Sequence, residues 1–129
     1  MFKIDHVDHF VLTVHDIEAS CAFYHDVLGM EVIDFENGTR KALRFGNMKI
    51  NLHQLGHEFN PKAEFPTPGS GDFCLITKDS IADVVATLKE KQVPIVEGPE
   101  PKHGAMGAIE SVYVRDPDYN LVEISQYQD

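Results

Sequence analysis

The stretch HFVLTVHDIEAS (9–20) has a second copy in pattern, DFCLITKDSIAD (72–83). In the first, Phe10, Leu12 and Val14 alternate with His9, Val11 and Thr13, the period of a half-buried strand. Asp16 then offers an N-cap, Ile17, Cys21, Tyr24, Val27 and Leu28 recur at helical spacing, and Gly29 supplies a stop. In the second, residues 73–77 form the strand, Ser80 and Asp83 a capping box, and Ile81, Val84, Val85 and Leu88 the apolar stripe of a helix.

Three more strand candidates follow each helix. After the first they are 30–35, 41–45 and 48–53, with ENGT (36–39) as an Asn-Gly hairpin turn. After the second they are 94–97, 111–115 and 121–126, the last two joined by the turn DPDYN (116–120). The Gly- and Pro-rich GHEFNPKAEFPTPGSG (56–71) separates the two runs. The expectation is an α+β protein of two βαβββ modules, 1–55 and 72–129 around a linker 56–71, within a single domain 1–129. The modules are expected to build one curved mixed sheet with the helices on its outer side.

Composition narrows the function classes. At 129 residues and 43% hydrophobic content the chain suffices for one core and is short for two independent domains. A formal charge of -10, with no clustering of Lys or Arg, disfavours a nucleic-acid partner. No signal-peptide pattern opens the sequence and no apolar run approaches the roughly 20 residues of a spanning helix. A cytoplasmic protein without a membrane partner is therefore expected. Cys21 and Cys74 both fall in apolar patterns and are expected as reduced, buried thiols.

The segment MKINLHQLGHEF (48–59) carries two histidines four apart, His53 and His57. A helical HExxH zinc motif is excluded: Gln54 replaces the Glu, Gly56 interrupts, and Ile50 and Leu52 alternate with Asn51 and His53 as in a strand. If Phe10, Leu12, Ile50, Leu52, Val122 and Ile124 cover helices, then His9, Asn51, His53, Asp72 and Glu123 face the opposite, concave side. Two imidazoles and a carboxylate, His9, His53 and Glu123, make an open N/O donor set for a divalent metal.

The doubled modules, the opening DHFVLTVHDIEASCAFYHDVLGMEVI and the closing SVYVRDPDYNLVEIS resemble the vicinal oxygen chelate superfamily of glyoxalases, bleomycin-resistance proteins and dioxygenases. The likeness is to its short glyoxalase-domain members. It implies a divalent cofactor ion (Zn, Ni, Mn, Fe or Co) held by His9 and Glu123, with Glu123 also the catalytic proton carrier. The other two glyoxalase I ligand positions are similar in place to Asn51 and Asp72. Since an amide is a weak ligand, His53 is expected as the third ligand, and Asp72 as a fourth or as a group orienting His9. The family's DPDG turn has Tyr119 in its Gly position.

The resemblance thus implies a metal-dependent lyase or isomerase that chelates two neighbouring oxygens of a small substrate. It also implies a homodimer, with His9 and His53 from one chain completed by Glu123 of the other. The alternatives are an extradiol-type dioxygenase, which a two-histidine, one-carboxylate set also fits, and a drug-sequestering protein of bleomycin-resistance type. The remaining histidines have plainer expectations. His6 lies off the cavity face, His15, His25 and His57 are solvated, and His103 sits in a Gly-rich surface loop. Arg115 is expected as a solvated charge beside the turn.

Overall fold

The computed structural model describes residues 1–129. It divides into two compact units, Met1–Pro68 and Gly69–Asp129. In the first, β1 (His9–Val14) leads to α1 (Ile17–Ala22), a π-helical turn (Phe23–Val27), β2 (Glu31–Phe35), β3 (Arg40–Phe45) and β4 (Met48–Gln54). In the second, β5 (Asp72–Ile76), α2 (Ile81–Glu90), β6 (Glu97–Gly104), β7 (Gly107–Arg115) and β8 (Leu121–Tyr127) repeat the order.

The strands form two four-stranded sheets, β1-β4-β3-β2 and β5-β8-β7-β6, rather than the single sheet expected. The strand order is the same in both, and so is the register. His9 pairs with Lys49 and Val11 with Asn51 in the parallel β1–β4 ladder; Asp72 pairs with Leu121 and Cys74 with Glu123 in β5–β8. The duplicated pattern of the sequence is thus a duplicated ladder.

Each sheet buries its apolar face under its helix. In the first unit Leu12, Val14, Cys21, Tyr24, Met30, Leu43, Ile50 and Leu52 are buried; in the second, Ile81, Leu88, Val112, Val114, Val122 and Ile124 are. Burying a side chain of this size is worth roughly 1.5–3 kcal/mol, so these stripes drive both halves. Asp16 caps α1 by accepting from the Glu18 amide, and Ser80 caps α2 by accepting from the Asp83 amide. Gln54 stitches β4 to the other elements, with its Nε2 donating to the His15 carbonyl at 2.6 Å and its Oε1 accepting from the Ile17 amide at 3.3 Å.

Two sequence expectations fail here. Residues 94–96 are not strand, and the expected loop around His103 is instead the β6–β7 hairpin, closed by the Gly104–Gly107 pair. Pro99 and Pro101 are tolerated in this strand because β6 is the sheet edge, where a missing N–H costs no ladder bond. A register shift between Glu97 and Glu100 absorbs the first of them. Gly98 is required there, because at φ +98° an added Cβ would stand 2.4 Å from the Ser111 carbonyl oxygen. In addition, Cys74 is exposed rather than buried, since it alternates with the helix-facing Phe73 and Leu75. Both thiols are free.

The DPDYN turn is built around Asp116. Its Oδ1 accepts from the amides of Asp118 and Asn120, both at 2.9 Å, and its Oδ2 from the Asn120 side chain at 2.8 Å. Tyr119 takes φ 66°, the left-handed conformation a glycine would adopt without strain. Asp116→Ala would leave three buried donors unserved and is expected to cost about 3 kcal/mol in urea unfolding. Tyr119→Gly removes left-handed strain of roughly 1–2 kcal/mol but adds unfolded-chain entropy, so it is expected to stabilise by less than about 1 kcal/mol in the same assay.

Candidate functional site

The β1–β4–β3–β2 register sorts the side chains of the first sheet into rows on the face away from α1. Val11, Asn51, Ala42 and Ile33 make one row; His9, Lys49, Arg44 and Glu31 make the row on one side of it. Thr13 and His53 pair in the row on the other side, with Arg40 and Phe35 paired beside them. His9, Asn51 and His53 therefore share a face, with His9 two rows from His53.

His53 is 3% exposed. Its Nε2 lies 3.1 Å from Arg40 Nη2, and since guanidinium has no acceptor, Nε2 is the acceptor and the ring proton is on Nδ1. The Arg40 guanidinium stands between two rings, 4.9 Å from the centroid of Phe35 and 4.6 Å from that of Phe59. Phe59 also meets the His53 ring edge-on at 5.6 Å. Burial, and then the Arg40 charge, hold the His53 imidazolium below its usual pKa. Asn51, also buried, leaves its Oδ1 without a hydrogen-bond partner.

His9 is half exposed, and its Nδ1 is bonded to Asp8 Oδ1 at 2.7 Å. That contact holds the Asp8 carboxyl below the usual carboxylate range and directs the Nε2 lone pair away from Asp8. The carboxylate found on His9 is thus the preceding residue's, whereas Asp72 is exposed at the start of β5.

Glu123 lies on the second sheet in a row with Cys74, Tyr113 and Glu97. Its Oε2 accepts from Ser111 Oγ at 2.7 Å and from Ser125 Oγ at 3.3 Å, and the two serine hydroxyls are 2.6 Å apart. Burial first, and then the Glu123 charge, push the Tyr113 phenol up. On the adjacent edge, Lys102 pairs with Glu100 at 3.1 Å and Glu97 at 3.7 Å, and a hydrogen bond between Glu97 and Glu100 raises the Glu97 carboxyl. No three His, Cys, Asp or Glu side chains are grouped to hold one cation. His6, His15, His25, His57 and His103 are exposed; Arg115 donates to the Tyr119 carbonyl at 3.4 Å, so it fastens the turn.

Arg40 was missed from sequence, because the third strand was started at Lys41. One residue more gives it the parity of Ala42 and Arg44, opposite Leu43 and Phe45, and hairpin pairing then places it beside His53. Beside it a cavity of about 300 Å³ is lined by residues including Thr39, Arg40, Gln54, Phe59, Asp16 and Glu18.

Residues 6–124 match the Glyoxalase/Bleomycin resistance protein/Dioxygenase superfamily model, and the chain belongs to that family. Over 124 residues it is 55% identical to the virulence protein STM3117 of Salmonella typhimurium, covering 96% of this chain and 85% of that protein. The crystal structure of that protein superposes with a TM-score of 0.96 over 98% of this chain and 100% of that one. The glyoxalase domain-containing protein RDO1 of Mycosarcoma maydis is 54% identical over 95% of this chain and 69% of its own length. An ethylmalonyl-CoA/methylmalonyl-CoA epimerase of Cereibacter sphaeroides is 33% identical over 95% of this chain and 98% of its own. The family includes enzymes such as the epimerases. No helix is long and apolar enough to cross a membrane.

The depressed His53 pKa has a stability consequence. The unfolded chain binds a proton at His53 near pH 6.5 while the folded chain resists it, so the stabilising contribution is present above that pH and lost as pH falls through the folded-state value. The urea midpoint of the wild type is expected to fall more between pH 7.5 and 5 than that of His53→Gln, which has no imidazole to titrate. Parallel pH profiles would remove this role from His53.

Proposed function

We propose that this protein is a divalent-metal-dependent enzyme of lyase or isomerase type, acting as a homodimer on a small substrate with two neighbouring oxygens. His9 of one chain and Glu123 of its partner would hold the ion. The observation that carries this is the preparation of both donors: Asp8 fixes the tautomer and aim of His9, and Ser111 and Ser125 fix Glu123 Oε2. Both fit a cation. His53 fits less well as third ligand, because its Nε2 lone pair is taken by Arg40. The unpartnered Asn51 Oδ1 on the same face is the donor we assign instead. A dioxygenase with two histidine ligands would have to break the Arg40–His53 bond, which disfavours it.

The bound ion would supply electrostatic stabilisation of negative charge developing on substrate oxygen. The remaining work falls to this chain. Glu123 would be the carboxylate that takes a proton from carbon and returns it, as epimerisation next to a carbonyl requires. The Ser111 hydroxyl on Oε2 limits its rotation, so the proton would move at the other oxygen. Similarity to an epimerase over nearly the full chain supports the isomerase side of this reading.

Protein purified without chelator and loaded with Co, Ni, Mn or Zn is expected to retain about one ion per chain by mass spectrometry of metals, and to sediment as a dimer. His9→Ala and Glu123→Gln should each abolish retention. Asn51→Ala should weaken it about tenfold or more, and His53→Ala should leave it. Retention lost with His53→Ala but kept with Asn51→Ala would restore His53 as ligand. A wild type that takes up none of these ions would end the metal-dependent reading.

A further inference from the structure

The geometry points to Arg40 as the binding residue for a carboxylate group of a small acid, at a site built by Arg40, His53, Phe35 and Phe59. This deepens the proposed function by naming the substrate class, and it rests on that reading only for what the other end of the acid does.

Arg40 is held as a ligand-binding guanidinium would be. Its side chain is only 16% exposed, and its nearest carboxylate, Glu36, stands 3.7 Å away and is itself 62% exposed. Of five N–H donors, one is given to His53, and the buried Nε has no partner. A guanidinium serving only the fold would close this account with a paired carboxylate, because a buried cation without one is costly. Here the paired carboxylate, Glu36, is mostly exposed and comes no nearer than 3.7 Å, and the closest polar partner is a neutral imidazole. The flanking Phe35 and Phe59 rings fix its plane, as a fork receiving the two coplanar oxygens of a carboxylate requires.

The surrounding charge has the right sign. Lys49 Nζ lies 4.1 Å from the Phe35 centroid on the same face. Glu58 is spoken for by the Gly56 amide at 2.8 Å and by Lys62 at 3.7 Å. Against a net charge of -10, the cluster is a local cationic island. It is also a small one. Asp16 and Glu18 border the neighbouring cavity, so a ligand bearing several negative charges is disfavoured there, whereas hydroxyl groups would find acceptors.

Distance along the sheet sets the size of the acid. Asn51 and His53 are one same-face step apart on β4, roughly 7 Å. An acid with its carboxylate on Arg40 and a carbonyl or hydroxyl oxygen near Asn51 therefore spans only a few bonds. Larger thioester or nucleotide portions are not needed to bridge the two.

The test uses full-length protein stripped of metal, at pH 7.5, so that its outcome is independent of metal loading. Pyruvate, lactate and inorganic phosphate are titrated separately while backbone amides and the His53 ring are followed by NMR. The expected result is saturable shifts at Arg40, His53 and Phe59 with pyruvate or lactate, at least tenfold weaker in Arg40→Gln and retained in part in Arg40→Lys. Circular dichroism checks that the variants fold; should Arg40→Gln fail to, Phe59→Leu, which unclamps the guanidinium, is expected to weaken binding about threefold or more. The proposal is overturned if neither carboxylate gives saturable shifts at these residues, if Arg40→Gln or the folded Phe59→Leu leaves them unchanged, or if phosphate binds as tightly as both carboxylates. Carboxylate binding in a protein that also fails to retain any metal would uphold this site and reject the metal-dependent function.

Discussion

A parallel strand pair organises each sheet, β1 with β4 and β5 with β8, and its register decides which side chains stand away from the helix. Because side chains alternate strictly, a slip of one residue would send Asn51 and His53 to the helix side and Ile50 and Leu52 to the open face. The cost would be several buried aliphatic side chains, each worth roughly 1.5–3 kcal/mol. The core therefore enforces the placement of the polar groups that cannot enforce it themselves. The same register in both sheets makes Asn51 equivalent to Glu123 and His53 equivalent to Ser125. The two modules nevertheless carry different chemistry on this face. The first carries Arg40, Lys49 and an uncharged His53 among phenylalanines, while the second carries Glu97, Glu100 and Glu123 among hydroxyls.

Much of the fold was legible because it depends on period and caps. Asp16 and Ser80 cap where their side chains predict, and the alternation of His9–Val14 and of Met48–Gln54 gives the faces found. Tyr119 in a glycine position takes the positive φ that the DPDYN pattern demands, and Asp116 makes the compensating bonds. The hairpin around His103 was not legible, since Gly and Pro punctuate loops in the interior of a sheet but are tolerated on an edge. Edge status is a property of the assembled sheet and cannot be read from the strand alone. Nor does periodicity tell one sheet of eight strands from two of four, because hydrogen bonding between modules leaves no local signature.

The site was legible to the level of facing, not of partnership. Parity placed His9, Asn51, His53 and Glu123 away from the helices, and the register agrees. What an imidazole does there depends on the group beside it. His9 finds a carboxylate and keeps a lone pair available; His53 finds a guanidinium and gives its lone pair up. These two histidines, alike by spacing, differ in chemistry because Asp8 adjoins one in sequence whereas Arg40 reaches the other only through the β3–β4 hairpin. Cys74 illustrates the same limit. An apolar-looking run suggested burial, but alternation puts its thiol on the open face, 3.2 Å from Ser125 Oγ.

Energetics separate a structural from a functional account of the Arg40 cluster. Replacing a buried charged cluster by apolar residues of similar volume is often neutral or stabilising, by about 1–4 kcal/mol. Phe35 and Phe59 already supply an apolar lining into which leucine side chains at positions 40 and 53 could pack. The fold therefore does not need a guanidinium there. An imidazole kept neutral beside it satisfies one donor and adds no countercharge, and with Glu36 mostly exposed at 3.7 Å the cation has donors left for something that brings a negative charge of its own. Had the arrangement served stability, a carboxylate at position 53 would have met the need better than histidine does.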